Sequence, residues 1–312
     1  MKVVFFGTPP PATIVLKQVI EAGHDVVGIV TQKDKSLKPL RTSKEDNVSR
    51  YASRNDIEKL QPESLNVPEV KKTIADLGGD IAVVAAYGKI IPKSILGLWE
   101  KGCFCIHPSL LPRYRGASPI QEAILQGDEV TGTSIFLVEE KMDAGPILAQ
   151  KRLTVAETDT TVDLLEKLFY LGAEMVGPAI DSYISSSLLP VPQDHSQATF
   201  TKLLKKNDGA INWLEAAELI SRKNRAYIPW PGIFTFWKGK RLNIISTRAT
   251  GADSDHMPGQ VMGLDPATNQ IMVSTGNGVL AVDQLQLEGK RCVAAPQFLR
   301  GYPSFGGTTL PS

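Results

Sequence analysis

The sequence predicts an α/β fold with a parallel central sheet, followed by a smaller domain built from short strands. Three observations support this prediction. The first 31 residues contain a strand–turn–helix–strand unit, which implies a parallel pair of strands with a right-handed crossover. Further apolar strand segments follow up to about residue 138. After about residue 205, the chain changes to short segments separated by Gly, Pro, Asn and Asp.

The first half provides the elements of the parallel sheet. An apolar run over 3–6 predicts a buried strand that ends in the turn Gly7-Thr8-Pro9. Apolar residues at helical spacing predict a helix over 12–22, and a second apolar run predicts a strand over 24–31. Further strands are expected over 80–87, 102–107 and 133–138, and a long helix over 160–182. Continuously apolar strands are typical of a sheet that is covered on both faces.

The second half indicates a separate domain. Short segments over 241–246, 259–262, 270–274 and 278–286 alternate with turn residues, which predicts a small barrel or sandwich. A polar stretch with two prolines over 188–199 predicts a linker, and the Gly-, Pro- and Thr-rich tail over 301–312 predicts poor order. We therefore expect a first domain over 1–190, a linker over 191–206 and a second domain over 207–312.

Composition limits the classes of protein to which the chain can belong. Its 312 residues suffice for two domains, and 42% hydrophobic with 21% charged residues is ordinary for a globular protein. A net charge of +1 creates no overall attraction to nucleic acid or membrane. No apolar run reaches the roughly 20 residues of a membrane helix, and the N-terminal run is too short for a signal peptide. Three cysteines without a disulfide framework favour a cytoplasmic protein.

The turn after the first strand does not fit a dinucleotide site. The dinucleotide fingerprint needs three glycines at fixed spacing, and this turn has one, at Gly7. Pro9, Pro10 and Pro11 also remove backbone N–H donors where a phosphate would need them. We therefore expect a tight strand-to-helix turn and no NAD.

A histidine and an aspartate form the first candidate site. His107 stands at the end of a predicted strand, where open α/β sheets bind ligands, and Asp143 follows the next predicted strand. An aspartate close to a histidine holds its tautomer and favours the imidazolium. Such a pair can polarise a carbonyl, stabilise an oxyanion or move a proton. On residue types alone, a structural histidine and an ordinary Asp-Ala-Gly turn remain open alternatives.

The residues around this pair resemble the folate-dependent formyltransferases over nearly the whole chain. The most specific stretch is His107 followed by Ser109-Leu110-Leu111-Pro112-Arg113-Tyr114-Arg115-Gly116-Ala117-Ser118-Pro119-Ile120-Gln121. Other family-like segments are Gly7-Thr8-Pro9, Ala86-Tyr87-Gly88 with Ile91-Pro92-Lys93, Gly127-Asp128 through Thr131-Gly132, and Met142-Asp143-Ala144-Gly145-Pro146-Ile147-Leu148. In the second half, Ala198-Thr199-Phe200, Ile211-Asn212-Trp213, Pro229-Trp230-Pro231-Gly232 and Glu288-Gly289-Lys290 are similar to members that act on tRNA.

The resemblance implies a Rossmann-like catalytic domain followed by an OB-like β-barrel domain that holds tRNA. It implies transfer of the formyl group of 10-formyltetrahydrofolate to the α-amine of initiator methionyl-tRNA, in support of translation initiation, by a monomer that needs no metal. In that reaction His107 would donate to the developing oxyanion, while Asp143 would hold His107 and help move the proton. Ser109, Leu110, Leu111 and Pro112 would line the folate pocket.

One position departs from the family pattern. The family has an asparagine two residues before the histidine, and this chain has Cys105. Because residues i and i+2 of a strand point to the same side, Cys105 should share the site with His107. A thiol is a weaker donor than an amide, and losing one oxyanion donor typically costs about 10²–10³ in rate. Cys105 is therefore expected to impair catalysis, unless it is a small core residue or forms a Cys/His nucleophilic pair.

Two basic regions are candidates for tRNA contact. Residues 33–50 contain six Lys or Arg against three acids, and residues 202–248 contain ten against three. A local excess of this kind is expected of a phosphate-backbone binder, although a solvated basic surface has the same composition. Two rival functions remain open. One is formylation of another amine, such as an amino-sugar nucleotide, and the other is a folate- or RNA-binding relative whose catalysis has lapsed.

Overall fold

A computed structural model of the chain describes residues 1–33 and 46–312. The chain folds into two compact units. The first unit comprises Met1–Pro119, Glu129–Val155 and Asp163–Lys202, and the second comprises Ile120–Asp128, Ala156–Val162 and Leu203–Ser312. Most of the predicted basic loop over 33–50 lies outside the described residues. Within the described part of the chain, no helix has both the length and the apolar character needed to cross a membrane.

The strands and helices of the first unit alternate along much of the chain. Its strands are β1 (Lys2–Gly7), β2 (Asp25–Val30), β3 (Lys59–Leu60), β4 (Ile81–Ala85), β5 (Cys103–His107), β6 (Arg115–Gly116), β7 (Val130–Leu137), β8 (Ile147–Thr154) and β9 (Phe200–Thr201). Its helices are α1 (Pro10–Glu21), α2 (Val48–Arg54), α3 (Pro68–Asp76), α4 (Lys93–Leu96) and α6 (Thr161–Ile184), whereas α5 (Pro119–Gln126) falls almost entirely in the second unit.

The main sheet confirms the predicted α/β class and adds an antiparallel edge. Among the described residues it has seven strands in the order β3-β2-β1-β4-β5-β7-β8. The first five are parallel, whereas β7 pairs antiparallel with both β5 and β8. The short loop between β7 and β8 suits their antiparallel pairing, because a parallel pair needs a longer crossover connection. This loop carries Asp143.

Alternating residues of the central strands pack into two apolar clusters, one on each face of the sheet. Phe104 and Ile106 belong to one cluster, and Cys103 and Cys105 pack into the other. This alternation is the period-2 pattern of a strand covered on both faces. His107, two residues beyond Cys105, therefore points to the same side as Cys105, as the sequence predicts.

The second unit is an antiparallel β domain with flanking helices, which confirms the predicted change of architecture. Its elements are α7 (Ala217–Ala226), β10 (Ile233–Trp237), β11 (Lys240–Ala249), β12 (Val261–Leu264), β13 (Ile271–Ser274), β14 (Val279–Leu287), β15 (Val293–Ala294) and α8 (Ala295–Gly301). The strands pair in the order β10-β11-β14-β13-β12, and β15 pairs with β14.

The expectation of a poorly ordered tail is wrong. Phe305 and Leu310 are buried, and the backbone N–H of Leu310 donates to the carbonyl oxygen of Gly259 at 2.8 Å. Phe305 also packs edge-on against Trp237. Composition alone did not indicate these two apolar anchors within a segment otherwise rich in Gly, Pro and Thr.

Candidate functional site

The candidate site lies at the carboxyl edge of the parallel strands. The order of the sheet reverses between β1 and β4, and such a switch point is where open α/β sheets bind ligands. Side chains join the residues that follow β1, β2 and β4. The Thr8 hydroxyl donates to the carbonyl oxygen of Tyr87 at 3.4 Å, and the Gln32 amide donates to the same oxygen at 2.6 Å. His107 ends β5, the strand next to β4.

The imidazole of His107 is oriented by a backbone carbonyl. Its Nε2 atom lies 3.0 Å from the carbonyl oxygen of Tyr114, and the side chain is buried. A carbonyl oxygen can only accept, so Nε2 carries a proton and donates it. The other nitrogen, Nδ1, therefore faces the site. The backbone of Tyr114 is left-handed, with φ of 60°, and its N–H is held by the Thr199 hydroxyl at 2.8 Å.

Asp143 faces Nδ1 of His107 without bonding to it. One carboxylate oxygen, Oδ2, lies 3.8 Å from Nδ1, which is too long for a hydrogen bond. The same oxygen accepts from the backbone N–H of Gly116 at 2.7 Å. Gly116 has φ of +113°, and a Cβ atom there would lie 2.5 Å from the carbonyl oxygen of Thr201. Only glycine therefore fits at the donor that holds the carboxylate.

Cys105 lies at the same site, and its thiol is neutral. Burial raises the pKa of the Cys105 thiol well above its ordinary value, and the nearby Asp143 carboxylate raises it further. Reactive cysteines have the opposite property, a lowered pKa that supplies thiolate at neutral pH. His107 does not activate this thiol either, because its two nitrogens face Tyr114 and Asp143. The geometry therefore disfavours the Cys/His nucleophilic pair.

Two polar side chains hold the loop after His107 through hydrogen bonds to its backbone. The Ser134 hydroxyl donates to the carbonyl oxygen of Ser109 at 2.6 Å and accepts from the N–H of Leu111 at 3.0 Å. The Gln150 amide donates to the carbonyl oxygen of Leu111 at 2.8 Å. The side chains of Ser109 and Leu111 are buried, whereas those of Leu110 and Pro112 are partly exposed. The side chains of Leu110 and Pro112 can therefore contact a ligand, whereas those of Ser109 and Leu111 cannot.

Gln193 links Arg115 to the loop that carries Asp143, and the sequence analysis did not identify it. Its side-chain oxygen accepts from Nε and an Nη of Arg115 at 3.1 and 2.7 Å. Its amide nitrogen donates to the carbonyl oxygens of Asp143 and Gly145 at 2.9 and 2.7 Å. Gln193 is itself buried. It lies in the segment that was predicted to be a linker, where composition gives no sign of a role in a site.

Family models match both halves of the chain. A model described as "Formyl transferase" matches residues 1–179, and one described as "Formyl transferase, C-terminal domain" matches residues 203–303. The chain is also 40% identical to the methionyl-tRNA formyltransferase of Chloroflexus aurantiacus, over 96% of this chain and 97% of the relative.

The chain belongs to the formyltransferase family.

Solved structures with the family fold are similar over most of the chain. The N-formyltransferase from Helicobacter canadensis, in complex with folinic acid and dTDP-3-aminofucose, has a TM-score of 0.67 at 16% identity, over 92% of this chain and 100% of that one. HypX from Aquifex aeolicus, in complex with tetrahydrofolic acid, has a TM-score of 0.65 at 15% identity, over 96% of this chain. This chain spans 47% of the length of HypX. At these identities the likeness concerns the fold.

The candidate site combines a histidine, a carboxylate and a neutral thiol. Because Nδ1 of His107 and Oδ2 of Asp143 lie 3.8 Å apart, a single atom placed beside the pair can be within hydrogen-bond distance of both. Within the described residues, no group of three or more His, Cys, Asp or Glu side chains is placed to hold a metal ion.

The basic region of the second half is partly engaged within the protein. Lys223 pairs with Glu215 at 2.5 Å, and the guanidinium of Arg225 donates to the carbonyl oxygen of Asp159 at 2.9 Å. Of the aromatic residues that accompany these charges, Phe234 and Trp237 are buried, whereas Trp230 is 47% and Phe236 44% exposed. Not all of the positive charge over 202–248 is therefore available to a partner.

Proposed function

We propose that this formyltransferase transfers the formyl group of 10-formyltetrahydrofolate to the α-amine of initiator methionyl-tRNA. Two observations support this function. Relatives named methionyl-tRNA formyltransferase are 36–42% identical over nearly the full length. The observation that carries the chemistry is the 3.8 Å gap between Nδ1 of His107 and Oδ2 of Asp143, at the end of a central strand.

The two side chains have complementary tasks in this reaction. The co-substrate supplies the formyl carbon that the amine attacks. As the carbon–nitrogen bond forms, negative charge develops on the formyl oxygen, and the site must donate to it. An imidazolium at His107 donates from Nδ1, because Nε2 is occupied by the Tyr114 carbonyl. The Asp143 carboxylate accepts the proton that the attacking amine loses, and the proton passes to the folate nitrogen as its bond to the formyl carbon breaks.

Cys105 acts in this proposal as a weak third donor. A protonated thiol can donate a hydrogen bond, though less well than the amide that the family has at this position. The raised pKa of the thiol keeps its proton in place at neutral pH. The chain is therefore an enzyme with a weakened oxyanion site, rather than a binding protein without catalysis, since His107 and Asp143 keep a reactive arrangement.

The folate co-substrate is held beside this pair. We propose that the partly exposed side chains of Leu110 and Pro112 contact it, and that Ser109 and Leu111 contribute by holding the loop in shape. Binding of the folate to this loop depends on its rigid backbone, which hydrogen bonds from Ser134 and Gln150 hold in place. A preformed, partly apolar wall is the usual surface for a cofactor ring.

The remaining assignments follow from the same function. We propose that residues 1–190 carry out catalysis, that 207–312 form an OB-like tRNA-binding domain and that 191–206 connect them while supplying Gln193 to the site. We further propose a cytoplasmic monomer. Light scattering of the purified chain with and without tRNA measures the mass of the free protein, and a dimer would contradict the monomer.

The test is formylation of defined acceptors. The purified chain is incubated with 10-formyltetrahydrofolate and either methionyl-tRNA, elongator aminoacyl-tRNA or dTDP-3-aminofucose, and the formylated products are separated and counted. We expect formyl-methionyl-tRNA as the main product. Preferred formylation of the amino sugar would instead establish the rival substrate, and no product from any acceptor, with folate binding intact, would indicate a lapsed enzyme.

A further inference from the structure

A cavity in the second unit lies outside the His107 site. It has a volume of about 570 Å³ and is formed by the end of β14, β15, α8 and the residues that follow α8. This volume falls within the range of about 300–1,000 Å³ that is usual for small-molecule pockets. It is far larger than a bare phosphate or sulfate requires, so the cavity has room for a ring system.

The rim of the cavity is cationic. Lys290, Arg291 and Arg300 line it, and all three side chains are exposed. No described residue pairs with their charged groups, in contrast to Lys223, which is tied to Glu215. The described lining contains no Asp or Glu. These three cations, which no described residue neutralises, can therefore bind an anion.

The wall of the cavity is aromatic. Tyr302 lines it and is partly exposed, while Phe298 lies beneath and is buried. The ring of Tyr302 is packed at 4.9 Å from Phe298 and 5.4 Å from Trp237, measured between ring centroids. Its orientation is therefore held before any ligand arrives. An aromatic face beside cations is the arrangement that proteins use to stack a base and hold its phosphate.

We infer that this cavity is a nucleotide-binding site, in which an unstacked base lies against Tyr302 and the flanking phosphates contact Lys290, Arg291 and Arg300. The inference rests on the proposed function for its source of nucleotide, since a tRNA substrate supplies bases that are not stacked on their neighbours. A free mononucleotide has the same chemistry. The site binds the substrate and takes no part in the formyl transfer.

The first test measures how tRNA binding depends on salt. Each phosphate contact contributes about 0.7–0.9 to the slope of log K against log salt, so Lys290→Gln, Arg291→Gln and Arg300→Gln together should lower the slope by about 2. The matched control is Lys71→Gln, Lys101→Gln and Arg152→Gln, which removes the same charge from exposed positions of the first unit. An equal change in both triple variants, or none in the first, would overturn the inference.

The second test fills the cavity without changing its charge. Gly301 lines the cavity, and a Cβ atom there meets nothing within 4 Å, so Gly301→Met introduces a side chain without strain. Gly306→Met is the control, because Gly306 is exposed and its nearest neighbour lies 3.8 Å away. We expect Gly301→Met to weaken tRNA binding at least tenfold at constant salt slope, and Gly306→Met to leave it unchanged. Wild-type affinity in Gly301→Met would exclude a base in the cavity.

Competition identifies the source of the nucleotide. AMP, adenosine and inorganic phosphate are each titrated against bound tRNA. Weak displacement by AMP alone supports a nucleotide of tRNA, and tight binding of AMP that the triple variant loses supports a free nucleotide. Equal displacement by phosphate and AMP would overturn the role of the base. A wild-type chain that binds tRNA through this cavity but does not formylate it would refute the proposed function and leave the inference standing.

Discussion

The His107 site of the first unit and the cavity of the second unit differ in how their polar groups are held. At the His107 site nearly every polar group has a partner inside the protein. Tyr114 orients the imidazole, Gly116 holds the carboxylate and Gln193 ties the loops together. At the cavity, Lys290, Arg291 and Arg300 have no such partners among the described residues. A reacting pair needs fixed geometry, whereas a polyanion can be gripped by long, mobile cations.

The difference predicts how substitutions divide between the two regions. Changes at the His107 site should reduce kcat and leave tRNA affinity intact, because the interactions lost there are made in the transition state. Changes at the cavity should raise KM for tRNA and leave kcat intact, because they remove binding that is equal in the ground and transition states.

The largest effect is expected at the histidine. His107→Ala removes both the oxyanion donor and the group that faces Asp143, and it should lower kcat by about 10³–10⁴. Single-turnover formylation and tRNA binding measured on the same sample check this. A large loss of tRNA affinity with little change in kcat would place His107 in binding rather than in chemistry.

A smaller loss of kcat is expected at Gln193. Gln193→Ala removes two hydrogen bonds to the loop of Asp143, and a displacement of about 1 Å at a reacting group can cost on the order of 10² in rate. Gln193→Glu is the informative comparison. It keeps an acceptor for Arg115 but cannot donate to the carbonyl oxygens of Asp143 and Gly145, so it should not restore kcat. Full activity in Gln193→Glu would show that only the contact with Arg115 matters.

Cys105→Asn should increase the rate. An amide is a better donor than a thiol, so kcat should rise by about tenfold or more, while Cys105→Ala should remain close to wild type or fall slightly. Loss of activity in both variants would support a nucleophilic cysteine. The raised pKa also predicts that Cys105 becomes thiolate only at alkaline pH. Iodoacetamide should therefore leave Cys105 unlabelled near neutral pH and label it only as the pH rises.

The smallest effects concern stability and follow the same division. The Ser134 hydroxyl is buried and makes hydrogen bonds to the loop after His107, so Ser134→Ala should lower the free energy of unfolding by about 1–3 kcal/mol. Lys290→Gln changes an exposed side chain and should stay within about 0.5 kcal/mol of wild type. Urea unfolding of both variants measures the two values. A destabilisation of Lys290→Gln as large as that of Ser134→Ala would contradict the description of the rim as unpaired.

The sequence predicted the parts of the fold and the site that depend on local pattern. Apolar runs located the central strands, the predicted strand end placed His107 at the edge of the sheet, and strand alternation placed Cys105 on the same side. The sequence did not predict the Tyr114 carbonyl that orients the imidazole, because a backbone group carries no residue-specific signal. It also missed Gln193 and the anchors of the tail. These contacts join residues far apart in the chain, such as Arg115 and Gln193, which are 78 positions apart.

The most direct test of the proposed function uses Asp143→Asn. Asparagine keeps an oxygen to accept from Gly116 and tolerates the left-handed backbone at this position, where φ is 50°, but it cannot take a proton from the amine. Single-turnover formylation of methionyl-tRNA from 10-formyltetrahydrofolate is compared with wild type at saturating tRNA. The wild type should form formyl-methionyl-tRNA, and Asp143→Asn should bind tRNA equally and react about 10²–10⁴ times more slowly. Equal rates for the two proteins would contradict the role of the His107–Asp143 pair, and no product from the wild type would contradict the function itself.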